Sequence, residues 1–63
     1  MQLYRIPAGA RIQHKDYPQY LGTVVGYDDA DRTVIKWDGI EGVQAYVDPS
    51  RLIKEVPGAF VLP

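Results

Sequence analysis

The segment Val43-Gln44-Ala45-Tyr46 places an amide and a phenol two positions apart in a run of strand-forming residues. Successive side chains of a strand point to opposite faces, so Gln44 and Tyr46 share one face while Val43, Ala45 and Val47 share the other. The polar pair combines donors, acceptors and an aromatic plane, which is the equipment for holding a flat polar ligand. With the valines and Ala45 turned to the core, Gln44 and Tyr46 are expected on the outer face.

A second set is aromatic. Tyr17, Tyr20, Tyr27, Trp37 and Tyr46 are many large rings for a small interior, so some must stand partly exposed. Exposed rings serve peptides, methylated lysine, single-stranded nucleic acid or a flat heterocycle. Core and oligomer packing is the other use open to Trp37 and Tyr27.

Other chemistry is poorly supplied. Ser50, Thr23 and Thr33 are the hydroxyls that His14 would have to activate, but no spacing suggests a triad. The proline turn around Ser50 and the strand positions of the threonines account for them through local hydrogen bonding and β propensity. Asp28-Asp29-Ala30-Asp31 is too short a turn to surround calcium, so it reads as a solvated turn. The absence of cysteine, with His14 as the lone histidine, leaves no set of metal ligands.

The elements that position these residues follow from length and turn chemistry. A chain of 63 residues makes one domain, and at that size only roughly 60 % of the unfolded surface becomes buried. Self-association is a natural additional support. Seven Lys and Arg against eight Asp and Glu give a net charge of −1, which makes nucleic acid an unlikely partner. No run is long or apolar enough for a bilayer, and Met1-Gln2-Leu3-Tyr4-Arg5 lacks a signal peptide's apolar stretch, so the expected location is cytoplasmic.

Short β-branched and aromatic runs recur about every ten residues, which predicts an all-β, SH3-like five-stranded small barrel over residues 10–56. Residues 1–9 read as a leader and residues 57–63 as an apolar tail. Strands are expected at 11–14, 22–27, 33–37, 43–47 and 52–56, with Ile12, Ile35 and Trp37 inward. Lys15-Asp16-Tyr17-Pro18-Gln19-Tyr20 is the longest binding loop, Asp38-Gly39 signals a hairpin, and Asp48-Pro49-Ser50 a 3-10-like turn. Pro57-Gly58 is expected to end the last strand.

With these residues in view, the chain resembles the plasmid-encoded type II dihydrofolate reductases, SH3-like homotetramers insensitive to trimethoprim. The family carries Val-Gln-Ile-Tyr on a late strand, and Val43-Gln44-Ala45-Tyr46 occupies the same place before Leu52-Ile53. Arg11-Ile12, Lys15, Tyr20, Gly22 and Val24-Val25-Gly26-Tyr27 follow the family's first two strands without gaps, whereas similarity is poor between Tyr27 and Gly42.

The resemblance implies NADPH-dependent reduction of dihydrofolate to tetrahydrofolate in one central pore shared by four protomers, helped chiefly by proximity and orientation. Gln44 and Tyr46 would be the catalytic pair, and Val43 and Ala45 would hold NADPH mainly through backbone. Lys15 and His14 would attract the cofactor phosphate at the pore mouths. His14 stands where the family has a lysine, so activity is expected to rise toward mildly acidic pH. Tyr20 replaces an interface tryptophan, and the interface histidine has no counterpart in Asp38-Gly39-Ile40-Glu41. The alternative from the residues alone is a non-enzymatic SH3-like module that binds a peptide or nucleic acid through Tyr17, Tyr20 and Trp37.

Overall fold

Alternating apolar residues bounded by glycine, proline and aspartate turns build five strands. The computed structural model describes residues 5–60. It contains β1 (Ala10–His14), β2 (Leu21–Tyr27), β3 (Thr33–Trp37), β4 (Gln44–Tyr46), a 3-10 turn (Pro49–Arg51) and β5 (Ile53–Phe60). All pairings are antiparallel, in the order β4-β3-β2-β1-β5. This is the expected all-β, SH3-like small barrel, with a sheet that does not close by hydrogen bonds between its two edge strands, β4 and β5.

The core follows the register. Ile12 pairs with Gly22 and Gly22 with Trp37, while Val24 pairs with Ile35, so these residues lie on the inward face. Ile12, Val24 and Ile35 are completely buried, joined by Ile53, Ala10, Ile6 and Trp37. Each large side chain so buried contributes roughly 1.5–3 kcal/mol. The expected inward placement of Ile12, Ile35 and Trp37 is what the structure has.

Gly22 makes that row possible. A Cβ there would lie 2.9 Å from the Lys36 carbonyl oxygen, 3.1 Å from Ile12 Cδ1 and 3.1 Å from Trp37 Cε3. The missing side chain is therefore what lets the Lys36 carbonyl, Ile12 and the tryptophan ring come this close.

The last two strands differ most from expectation. β5 runs to Phe60 instead of stopping at Val56. As an edge strand it tolerates Pro57, whose missing N–H breaks no ladder on the open side, and Gly58 takes a φ of 76° at no steric cost. The register against β1 shifts between Ala10 and Ile12, where β5 spends more residues than its partner and bulges. Conversely, regular pairing of β4 is confined to Gln44–Tyr46, inside the expected 43–47.

The described part of the segment read as a leader lies on the barrel. Ile6 is buried, Gly9 N–H donates to the Val24 carbonyl at 2.7 Å, and the Tyr27 hydroxyl donates to the Ile6 carbonyl. Arg5 lies 4.3 Å from the centre of the Tyr27 ring and pairs with Asp31. Residues 1–4 of the expected leader and 61–63 of the expected tail lie outside the described residues.

The polar turns are held by carboxylates. Asp28 accepts N–H bonds from Ala30 at 3.0 Å and Arg32 at 2.9 Å, besides the Arg32 guanidinium at 2.8 Å. Asp38 takes a two-pronged bond from Arg11, which also reaches Thr23. Asp48 accepts the Ser50 hydroxyl at 2.6 Å.

Two outcomes follow. Gly22→Ala should lower stability by about 1–3 kcal/mol through overpacking, read as a lower urea midpoint. The Asp28 carboxyl is held below its ordinary range first by the Arg32 N–H, that of Asp38 by the Arg11 guanidinium, and that of Asp48 by the Ser50 hydroxyl. Depressed folded values mean a contribution fully present above the unfolded carboxyl range, about pH 4, and lost as pH falls through the folded values. The urea midpoint should thus be flat above about pH 5, fall below about pH 4, and fall less steeply in Asp38→Asn.

Candidate functional site

Residues paired across antiparallel strands share a face. Tyr46 pairs with Thr33 and Gln44 with Ile35, and both partners are buried on the inward side. Gln44 and Tyr46 therefore project to the same side as Trp37, and the outward positions belong to Val43, Ala45 and Val47. This reverses the expected orientation of β4: Val43 is 57 % and Val47 83 % exposed, whereas Tyr46 packs partly buried against the core. The two-residue period is satisfied either way, and pairing to β3 decides between them.

The consequence is a continuous line of rings and polar tips. Trp37 Nε1–H donates to the Tyr46 hydroxyl at 3.1 Å, and that hydroxyl donates to Gln44 Oε1 at 3.3 Å. On its other side Trp37 meets His14, whose ring centre is 5.9 Å away. His14 in turn touches Tyr17 at 5.0 Å and Tyr20 at 6.5 Å, and those two rings are 5.9 Å apart. Tyr17 and Tyr20 are about half exposed, at 54 % and 48 %. The line thus runs from an open tyrosine pair, through His14 and the largely buried Trp37, to Gln44 at the sheet edge.

The loop carrying the tyrosines is clamped by its neighbours. Tyr20 N–H donates to the Tyr17 carbonyl at 2.9 Å, His14 N–H to the Tyr20 carbonyl at 3.0 Å, and the Gln13 amide to the Pro18 carbonyl at 2.8 Å. His14 Nδ1 accepts from the N–H groups of both Asp16, at 3.0 Å, and Tyr17, at 3.2 Å. With Nδ1 accepting, the neutral ring carries its proton on Nε2.

Of the residues singled out from the sequence, His14, Gln44 and Tyr46 are brought together through Trp37. Val43 and Ala45 lie on the opposite face of β4 as exposed positions. Lys15 is directed elsewhere: its ammonium donates to the Ser50 carbonyl and its N–H to the Leu52 carbonyl at 2.8 Å. It lines a separate open depression of about 840 Å³ with Arg5, Asp48, Ser50 and Lys54. Spacing alone missed Trp37 as the joint between the two sets, although its shared inward period with Ile35 was the available signal.

This arrangement can hold a ligand by stacking and hydrogen bonding. Gln44 retains its amide N–H groups, the Tyr17 and Tyr20 faces are open, and no nucleophile or paired carboxylate lies in the line. Tyr46→Phe removes the acceptor of the Trp37 indole and should cost about 1 kcal/mol of stability. A change in the emission of this lone tryptophan should accompany it, read by fluorescence and urea unfolding on the same sample. No family model, curated protein or solved structure matches this chain, so the functional reading rests on this geometry.

Proposed function

We propose that the protein is a binding module that takes an extended, proline-rich peptide across Tyr17, Tyr20 and Tyr46, which the largely buried Trp37 joins from beneath. The observation that supports this reading best is that the aromatic line is contiguous within a single chain. Partly exposed tyrosines that meet edge to face form the ridged apolar surface on which a polyproline II segment packs without losing much conformational entropy. The Gln44 amide N–H groups, at the far end, supply hydrogen bonds to the free carbonyls of such a segment.

Selection from a displayed library of short peptides, followed by titration of Trp37 fluorescence with the selected sequences, tests the reading. We expect proline-rich sequences to be enriched, and Tyr17→Ala and Tyr20→Ala each to weaken binding about tenfold, the loss of one partly exposed aromatic contact. Equal binding by the wild type and both variants overturns the surface, and a library that yields no peptide overturns the function.

The NADPH-dependent dihydrofolate reductase reading keeps one specific observation in its favour. Gln44 and Tyr46 are hydrogen-bonded side by side on β4, whose outer edge carries no strand among the described residues. A pore lined by that pair requires four chains around one axis. The test is loss of NADPH absorbance with dihydrofolate present, with and without trimethoprim, in the wild type and Gln44→Ala. A chain that stays monomeric at high concentration overturns this reading, as does NADPH oxidation that Gln44→Ala leaves unchanged.

A further inference from the structure

The Tyr17 and Tyr20 loop is anchored on an atom that can change its role. His14 Nδ1 is the shared acceptor of the Asp16 and Tyr17 N–H groups, and the same ring touches Tyr17, Tyr20 and Trp37. A second proton on the imidazole sits on Nδ1 and turns that acceptor into a donor facing two donors. Neither N–H bond survives this, and the positive ring no longer holds the loop in its neutral arrangement. Histidine is the side chain that changes charge between about pH 5 and 8.

We infer that His14 is a proton-operated latch: neutral, it fixes the loop so that Tyr17 and Tyr20 continue the Trp37–Tyr46 line, and protonated, it releases the loop and breaks that line. This deepens the peptide-binding reading, on which its functional half rests. The surroundings of the ring agree with a switch of this kind. From its own loop it faces the phenols of Tyr17 and Tyr20 and has the Asp16 carboxylate two positions along the chain. From β3 it faces uncharged Trp37, and its pairing partner on β5 is Ile53. The neighbouring Lys15 ammonium is committed to the Ser50 carbonyl. Among the described residues no carboxylate forms an ion pair with the imidazole in this arrangement. The expected direction is opposite to the acid-stimulated activity that the reductase resemblance implies.

The test compares the wild type with His14→Asn, whose side-chain oxygen can take the place of Nδ1 as acceptor but does not titrate. Hydrogen-exchange protection of the Asp16 and Tyr17 amides, corrected for intrinsic rates, is followed by NMR from about pH 7.5 to 5.5. Protection should be lost at the acid end in the wild type and retained in His14→Asn. Binding of an acetylated oligoproline peptide, read through chemical shifts, should weaken over the same range in the wild type alone. Protection that is constant with pH in the wild type, or lost equally in His14→Asn, overturns the latch. Loss of protection with oligoproline bound equally at both ends overturns its coupling to the surface. If oligoproline binds at neither end, the peptide reading fails while the amide measurements still decide the latch.

Discussion

The structure depends on an indole that occupies the space a side chain would fill on the neighbouring strand. Trp37 lies across Gly22, so closely that a methyl group there would collide with the Lys36 carbonyl and press against the indole and Ile12. From that seat its N–H is aimed at Tyr46 and its ring at His14. One contact in the core thereby fixes the position of β4, the facing of the polar pair and the inner end of the tyrosine loop. A small domain with few buried residues can hold a broad surface in register this way, because the residue that fills the core also makes the surface contacts.

Much of this was legible in the residues. The strands announced themselves through β-branched and aromatic runs between Asp-Gly, Asp-Pro and Gly punctuation, and Ile12 and Trp37 were readable as inward from their polar neighbours Arg11, Gln13, Lys36 and Asp38, with Ile35 in the same two-residue period as Trp37. The face of β4 was not readable. Val43, Ala45 and Val47 are more apolar than Gln44 and Tyr46, so hydrophobicity assigns them to the core, yet register to β3 places the tyrosine inside. The reversal works because Tyr46 hides its ring while its hydroxyl meets the indole, which a local pattern cannot express. Pro57 and Gly58 misled for a related reason: they interrupt central strands but not an edge strand with one free side.

The same limits governed the site. Residue types marked the aromatic set and the Gln44–Tyr46 pair as separate candidates, since nothing local says that Trp37 touches both. Lys15 and His14 adjoin in sequence and looked like one basic mouth, but the chain turns after β1, sending the lysine to the 3-10 turn and leaving the imidazole among rings. A surface made by residues from three strands and a loop is a property of pairing rather than of any segment. The electrostatics are correspondingly local: Arg11 with Asp38 and Arg32 with Asp28 tie turns to strands, and no single-sign field covers the aromatic line.

The pairing of the first strand with the last has a consequence for how the molecule is made. β1 lies between β2 and β5, and its contact with β5 joins residues from near the two ends of the described chain. As the polypeptide leaves the ribosome, β1, β2 and β3 can meet early, but the other edge of β1 waits until the Ile53–Phe60 segment has emerged. The step that buries Ile53 therefore follows the meeting of the first three strands, and a chain cut within β5 leaves one edge of β1 open. Quality-control proteases that recognise such edges would read in one strand whether this sheet is complete.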